Sequence, residues 1–337
     1  MQNIQSITEQ VFTLVNQISI LGMLGLTGYI AGKTRYLPDN SGVVISRVVI
    51  KLTAPLLIFT TLASRSFTKD ILINGIWIYT LGIFFMLVSF AAGHTVSKAL
   101  KLKGAMENIF KMHFMFGNVI FLAFPLLKSL YGDDGVVYAV LFNLANDTIL
   151  WTLGIYLVNK HNKIQFNQIA KHLINGNTIA FGSGLIIILL KTNFKQLIDT
   201  IPYIYDISGF VFKTFHPLGE TTVYLSMLFI GLILSEIRIT SAKDLLKRYP
   251  IFILTLFKLI IIPIFALLLL TLLGGLIDPL AKAIIVLQLA MPCATIVPAL
   301  AAQYDSDYRF ATENVFFTTI LGIATMPFIV YLIMVIE

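Results

Sequence analysis

Ten apolar segments, each about as long as a membrane helix needs, leave this chain almost no material for a soluble core. They run roughly over 11–32, 43–64, 71–97, 106–128, 135–159, 174–192, 217–236, 249–273, 279–302 and 312–336. A helix crosses the hydrocarbon layer in about 20 mainly apolar residues. Within that layer every backbone N–H and C=O must find a partner inside the protein. Composition agrees: of 337 residues 57% are hydrophobic and 12% charged, with a mean hydropathy of +0.87. A soluble domain carries about twice that charge. No long polar tract remains for a soluble domain, so the expected fold is an all-α polytopic membrane protein. The stretch 193–216, which mixes aromatics with charges around Pro202, reads as an interfacial segment leading into the seventh helix.

Two segments are interrupted at matching places. The fourth contains Gly117-Asn118-Val119-Ile120-Phe121-Leu122-Ala123-Phe124-Pro125, and the ninth contains Met291-Pro292-Cys293-Ala294-Thr295-Ile296-Val297-Pro298. A proline inside a helix removes the N–H that the carbonyl four residues earlier would accept. Pro125 is thus expected to free the carbonyl of Phe121, Pro298 that of Ala294 and Pro292 that of Gln288. Such breaks are tolerated in a membrane only against protein or a wet cavity. Interrupted segments in corresponding positions of two halves point to the binding site of a secondary transporter. Helix N-termini meeting there, each carrying roughly half a positive charge, favour an anion.

Lysines and arginines orient the chain. With the N-terminus outside, fourteen fall on cytoplasmic loops and seven on outer ones, while Arg47, Lys51 and Lys258 lie within segments. The bias places both termini outside the cell membrane. Five helices per half, 1–160 and 161–337, then form two repeats of inverted orientation. The net charge of +7 belongs to these loops rather than to a nucleic-acid surface. The single cysteine, Cys293, excludes an intramolecular disulfide and a cysteine-based metal cluster. No basic stretch with a cleavage site opens the chain, so no cleaved signal peptide is expected. Zinc spacings, nucleotide motifs and hydrolase elbows are not found. The expectation is a chain that is not an enzyme, with no cofactor and no metal.

The motifs resemble those of the auxin efflux carrier family, which includes bacterial permeases and the plant PIN-type carriers. Leu52-Thr53-Ala54-Pro55-Leu56-Leu57-Ile58-Phe59 is similar to the family's apolar-Pro-Leu-aromatic pattern. Gly117-Asn118, Phe124-Pro125-Leu126-Leu127, Tyr131-Gly132, Leu141-Phe142-Asn143 and Trp151-Thr152-Leu153-Gly154 follow in order. Met291-Pro292, Ile296-Val297-Pro298, Ala302-Gln303-Tyr304, Thr318-Thr319-Ile320-Leu321 and Met326-Pro327 complete the series. The resemblance implies ten helices in two inverted five-helix repeats, the Pro-broken helices four and nine crossing at their midpoints. It also implies a scaffold with a moving transport domain, a homodimer, and organic-anion substrates such as auxins or dicarboxylates. The chain departs from bacterial members at Ile296, Ile120 and Ala123. It departs from the plant carriers in lacking a carboxylate in the core of helix three and in its short loop between helices five and six.

Polar residues inside apolar segments are the site candidates. Asn118 could donate to a substrate carboxylate or cap freed backbone. Asn143 and Asn146, three apart, share a helix face and could contact substrate or join helices. Gln288 and Thr295 flank or lie between the prolines of the ninth segment. Thr53 joins the substrate-binding set, and Pro55 joins Pro125, Pro292 and Pro298 as a helix break. Asp147 could relay a proton or cation, or be neutralised by Lys258 or Arg47. An acid at that depth costs roughly 2.5–3.5 kcal/mol on insertion scales and must face protein or water. Glu220 reads as a solvated interfacial acid, Cys293 as a small apolar filler, and His94 and His113 as interfacial. Arg47 and Lys51 either snorkel or draw anions into an inner vestibule. The expected function is a secondary carrier of a small organic anion by alternating access. The alternatives are a sodium- or proton-coupled symporter and a non-transporting membrane sensor.

Overall fold

The computed structural model describes residues 2–64, 68–160, 174–193, 202–236 and 248–336. Arg65, Lys163, Lys171, Lys195, Arg238, Lys243 and Lys247, used above to orient the chain, lie outside the described residues, as does 194–201. Among the described residues the backbone is helical, with no strand. The helices are α1 (Gln2–Lys33), α2 (Ser41–Ala63), α3 (Lys69–Ala99), α4 (Gly104–Met115) and α5 (Ala123–Val158). They continue as α6 (Gly176–Asn193), α7 (Pro202–Glu236), α8 (Tyr249–Leu272), α9 (Pro279–Leu289), α10 (Ile296–Gln303) and α11 (Tyr308–Ile336). Six of them, α2, α3, α5, α7, α8 and α11, contain stretches long and apolar enough to cross a membrane. The chain is an all-α polytopic membrane protein.

Local chemistry fixes the helix ends. Thr68 caps α3, its Oγ1 accepting the N–H of Ile71 at 3.2 Å. Asp278 caps α9 by accepting from Leu280 at 2.9 Å and Ala281 at 3.3 Å, and Pro279 fills the first helical position. Gly132, at φ +61°, splits α5 near its start, a turn that other side chains rarely adopt.

Three expectations are corrected. First, the helices do not break at Pro125 and Pro298. Each proline stands third in the helix that follows the gap, α5 and α10. There its missing N–H costs nothing, because the first N–H groups of a helix have no intrahelical acceptor. The Ala294 carbonyl accepts from Val297 at 3.2 Å and the Gln288 carbonyl from Met291 at 3.3 Å, so neither is left free. Second, Pro55 is no break. α2 runs through it after a π-helical turn, Val49–Thr53, in which the Ala54 N–H reaches back to the Val49 carbonyl. The wider turn absorbs the proline. Third, helix already runs from Pro202, inside the stretch read as interfacial.

Helices pack in two groups. α1, α2, α6 and α7 hold one another, chiefly α1 on α7 and α2 on α6 and α7. α3, α4, α5, α8, α9, α10 and α11 form the other. Each group draws on both halves of the chain. α1 and α7 approach at glycines, as membrane helices do where lipid supplies no hydrophobic drive. A Cβ on Gly231 would fall 2.6 Å from the Tyr29 nitrogen, and one on Gly28 3.0 Å from the Leu228 carbonyl carbon. The second group buries Phe85, Phe110, Phe114, Phe116 and Phe124 completely, all but Phe85 flanking the first gap.

Candidate functional site

The chain leaves α4 after Met115 and becomes helical again at Ala123; it leaves α9 after Leu289 and becomes helical again at Ile296. The two unwound segments meet side by side and antiparallel, Gly117 opposite Cys293. The Asn118 N–H donates to the Pro292 carbonyl at 2.8 Å, and the Ala294 N–H to the Phe116 carbonyl at 3.2 Å. Backbone groups released by unwinding thus satisfy one another, which is the condition for irregular backbone at membrane depth. Pro292 suits this place because only its carbonyl is used. Gly117 suits it because a Cβ would lie 3.0 Å from that of Met291 and 3.2 Å from the Gln288 carbonyl oxygen.

Neighbouring helices hold the junction. Thr318 of α11 accepts the Cys293 N–H at 3.0 Å. Lys258 of α8, 1% exposed, donates to the carbonyls of Phe114 and Met115 at 3.4 and 3.3 Å. Its ammonium therefore caps the end of α4, where carbonyls lack helical donors, and is not spent on Asp147. His113, expected at an interface, is fully buried beneath this junction. Glu220 is no free acid: Lys128 of α5 donates to it at 3.0 Å and also binds Asp133.

A cavity of about 360 Å³ opens beside the paired segments. Asn118, Asn143, Asn146, Asp147 and Thr295 all line it, so five of the sequence candidates converge. Asn118 divides its amide. Its Oδ1 accepts the Phe121 N–H at 3.2 Å, capping the turn into α5, while its Nδ2 is buried without a partner. Asp147 is buried among the side-chain amides of Asn146, Asn177, Asn143 and Asn175, with which it hydrogen-bonds. Gln288 and Thr53 do not reach the cavity. Both are buried, with the Gln288 amide atoms and the Thr53 hydroxyl unpartnered.

Lys51, read above as snorkelling or drawing anions into an inner vestibule, also lines the cavity, as do Trp151, Asn175 and Asn177, which the sequence did not single out. The one available signal was the polar Asn175-Gly176-Asn177 run at the start of the sixth segment. Asn175 Oδ1 accepts from the N–H groups of Asn177 and Thr178 at 2.9 and 3.1 Å, fixing the entry of α6. This turns Asn177 toward Asp147. Chemically the cavity offers an unpaired amide donor, a hydroxyl, a lysine and a carboxylate in a mostly apolar shell. That is the usual build of a small-molecule site.

The family model described as membrane transport protein matches residues 12–330. The chain belongs to this auxin efflux carrier-like family. It is also 26% identical over 308 residues to the uncharacterized transporter MJ1031 of Methanocaldococcus jannaschii, covering 90% of this chain and 93% of that one. The protein is a membrane transport protein and not an enzyme.

Proposed function

We propose that the protein is a secondary carrier that moves a small organic anion across the cell membrane, binding it in the cavity beside the paired breaks. One observation carries this reading: the two unwound segments meet, and the starts of α5 and α10 lie beside a cavity lined by Asn118, whose amide nitrogen is unpaired. Helix N-termini carry partial positive charge, and Lys51 adds a full one on the wall. Asn118 and Thr295 would donate to the carboxylate, with Trp151, Ile296 and Phe121 covering its apolar part.

In this reading the chain has ten spans. The fourth combines α4 with the first turns of α5, and the ninth combines α9 with α10. The two crossing spans belong to inverted five-helix repeats, 1–160 and 161–337, with both termini outside. α1, α2, α6 and α7 serve as scaffold and dimer surface, and the other helices move against them. The Lys128–Glu220 pair, between α5 and α7, then joins the moving body to the fixed one on the outer side. Asn175 and Trp151 lie toward the face bearing the loop between α5 and α6, so the cavity is nearer the cytoplasm.

Uptake of labelled mono- and dicarboxylates into proteoliposomes tests the reading. Saturable uptake of at least one acid is expected. Folded, reconstituted protein that moves none of them would overturn the anion assignment.

A further inference from the structure

We propose that Asp147, Asn143, Asn146 and Asn177 form a binding site for one sodium ion, set between the cavity and a small pocket behind it. The inference takes its purpose from the anion reading but its chemistry stands apart. A buried carboxylate on the wall of a cavity for anions repels its own substrate unless something neutralises it. Lys258, a candidate for that task, is committed to the end of α4, and neither Arg47 nor Lys51, which shares the cavity wall, pairs with Asp147: no ion pair among the described residues includes it. The four amides that surround it donate hydrogen bonds but bring no charge.

The donor set suits a hard monovalent ion. The Oδ1 atoms of Asn143, Asn146 and Asn177 are buried and lack any partner. Turning each amide about its terminal bond would present those oxygens where the N–H groups now stand. With the carboxylate they make an all-oxygen set carrying one negative charge. Divalent ions of the same hardness draw on more carboxylates, and no group of three His, Cys, Asp or Glu side chains occurs among the described residues. A proton would neutralise Asp147 but would leave the three amide oxygens unexplained. Room is present as well: Asn143, Asp147, Asn177 and Thr178 also line a second pocket of about 10 Å³, close to the volume one water needs.

The placement gives the ion a task. Asn143 lies one turn before Asp147 on α5, so the two share a face. Asn177 comes from α6, in the other packing group. A bound ion would tie the two bodies together and cancel the charge facing the anion. Each ligand would then raise affinity for the other by the same factor.

Thermal unfolding of the purified protein, without any organic acid, tests the site in sodium chloride against choline chloride at equal ionic strength. Wild type should gain Tm with sodium and saturate. Asp147→Asn should show no sodium-dependent gain. Asn177→Ala, which keeps the carboxylate, should raise the half-saturating sodium about tenfold. Equal Tm in the two salts for wild type would overturn the site. So would a sodium gain that survives in Asp147→Asn, or an unchanged midpoint in Asn177→Ala. A sodium gain in a protein that carries no acid would sink only the anion reading, and acid uptake without a sodium gain would sink only the ion site.

Discussion

Asn118 carries two duties on one side chain, and they can be separated. Its Oδ1 caps the turn into α5 and its Nδ2 is held in reserve. Asn118→Asp keeps the acceptor, removes the donor and adds a negative charge. A cap acceptor remains, so thermal stability should fall by no more than the roughly 2.5–3.5 kcal/mol that an acid costs at that depth, while affinity for an organic anion should drop at least about tenfold. Asn118→Ala should lose both. Equal losses of stability in the two variants, with binding untouched in Asn118→Asp, would mean that the residue is only a cap. Thermal unfolding and ligand titration on the same samples give both quantities. Five of the candidates were legible because a polar residue inside an apolar segment stands out. Thr53 and Gln288 stood out equally, yet face elsewhere. Gln288 precedes a gap of six unwound residues across which helical phase is not carried, and Thr53 ends the π turn of α2, which shifts the phase of the helix. Asn175 and Asn177 were hidden for the opposite reason. Near a segment end a polar residue reads as solvated, and only the fold of α6 onto α2 turns Asn177 inward.

At the scale of elements, prolines and glycines do different work from what spacing suggests. Spacing located both interruptions to within a few residues, because little else than Gly, Pro and Asn interrupts those apolar runs. It assigned the break to the wrong side of Pro125 and Pro298, since a proline that starts a helix and one that kinks it look alike in one dimension. The same ambiguity made Pro55 a break, where a π turn keeps α2 continuous. Glycines set how close α1 and α7 come. Gly231→Val would drive a side chain into the backbone of α1, at Tyr29 and Gly25. It should cost about 1–3 kcal/mol by overpacking, read as a lower unfolding midpoint, without changing which acid is bound. A variant as stable as wild type would show that the two helices part easily. That would conflict with a rigid scaffold.

For the whole molecule, membrane class and helical architecture followed from hydropathy alone, because backbone in lipid has so few solutions. The two packing groups did not, since each is assembled from both halves of the chain and contact between halves leaves no periodic trace. Their division places the paired breaks in one body and puts Asn177 of the other body against Asp147. Relative motion of the bodies would therefore open and close the cavity from α6. The account stands or falls on where the guest sits. A structure of the protein with an organic acid that raises its Tm tests this most directly. The carboxylate is predicted within hydrogen-bond reach of Asn118 and Thr295, between the starts of α5 and α10. An acid bound instead in the apolar cavity between α1, α5, α7 and α11 would contradict the account.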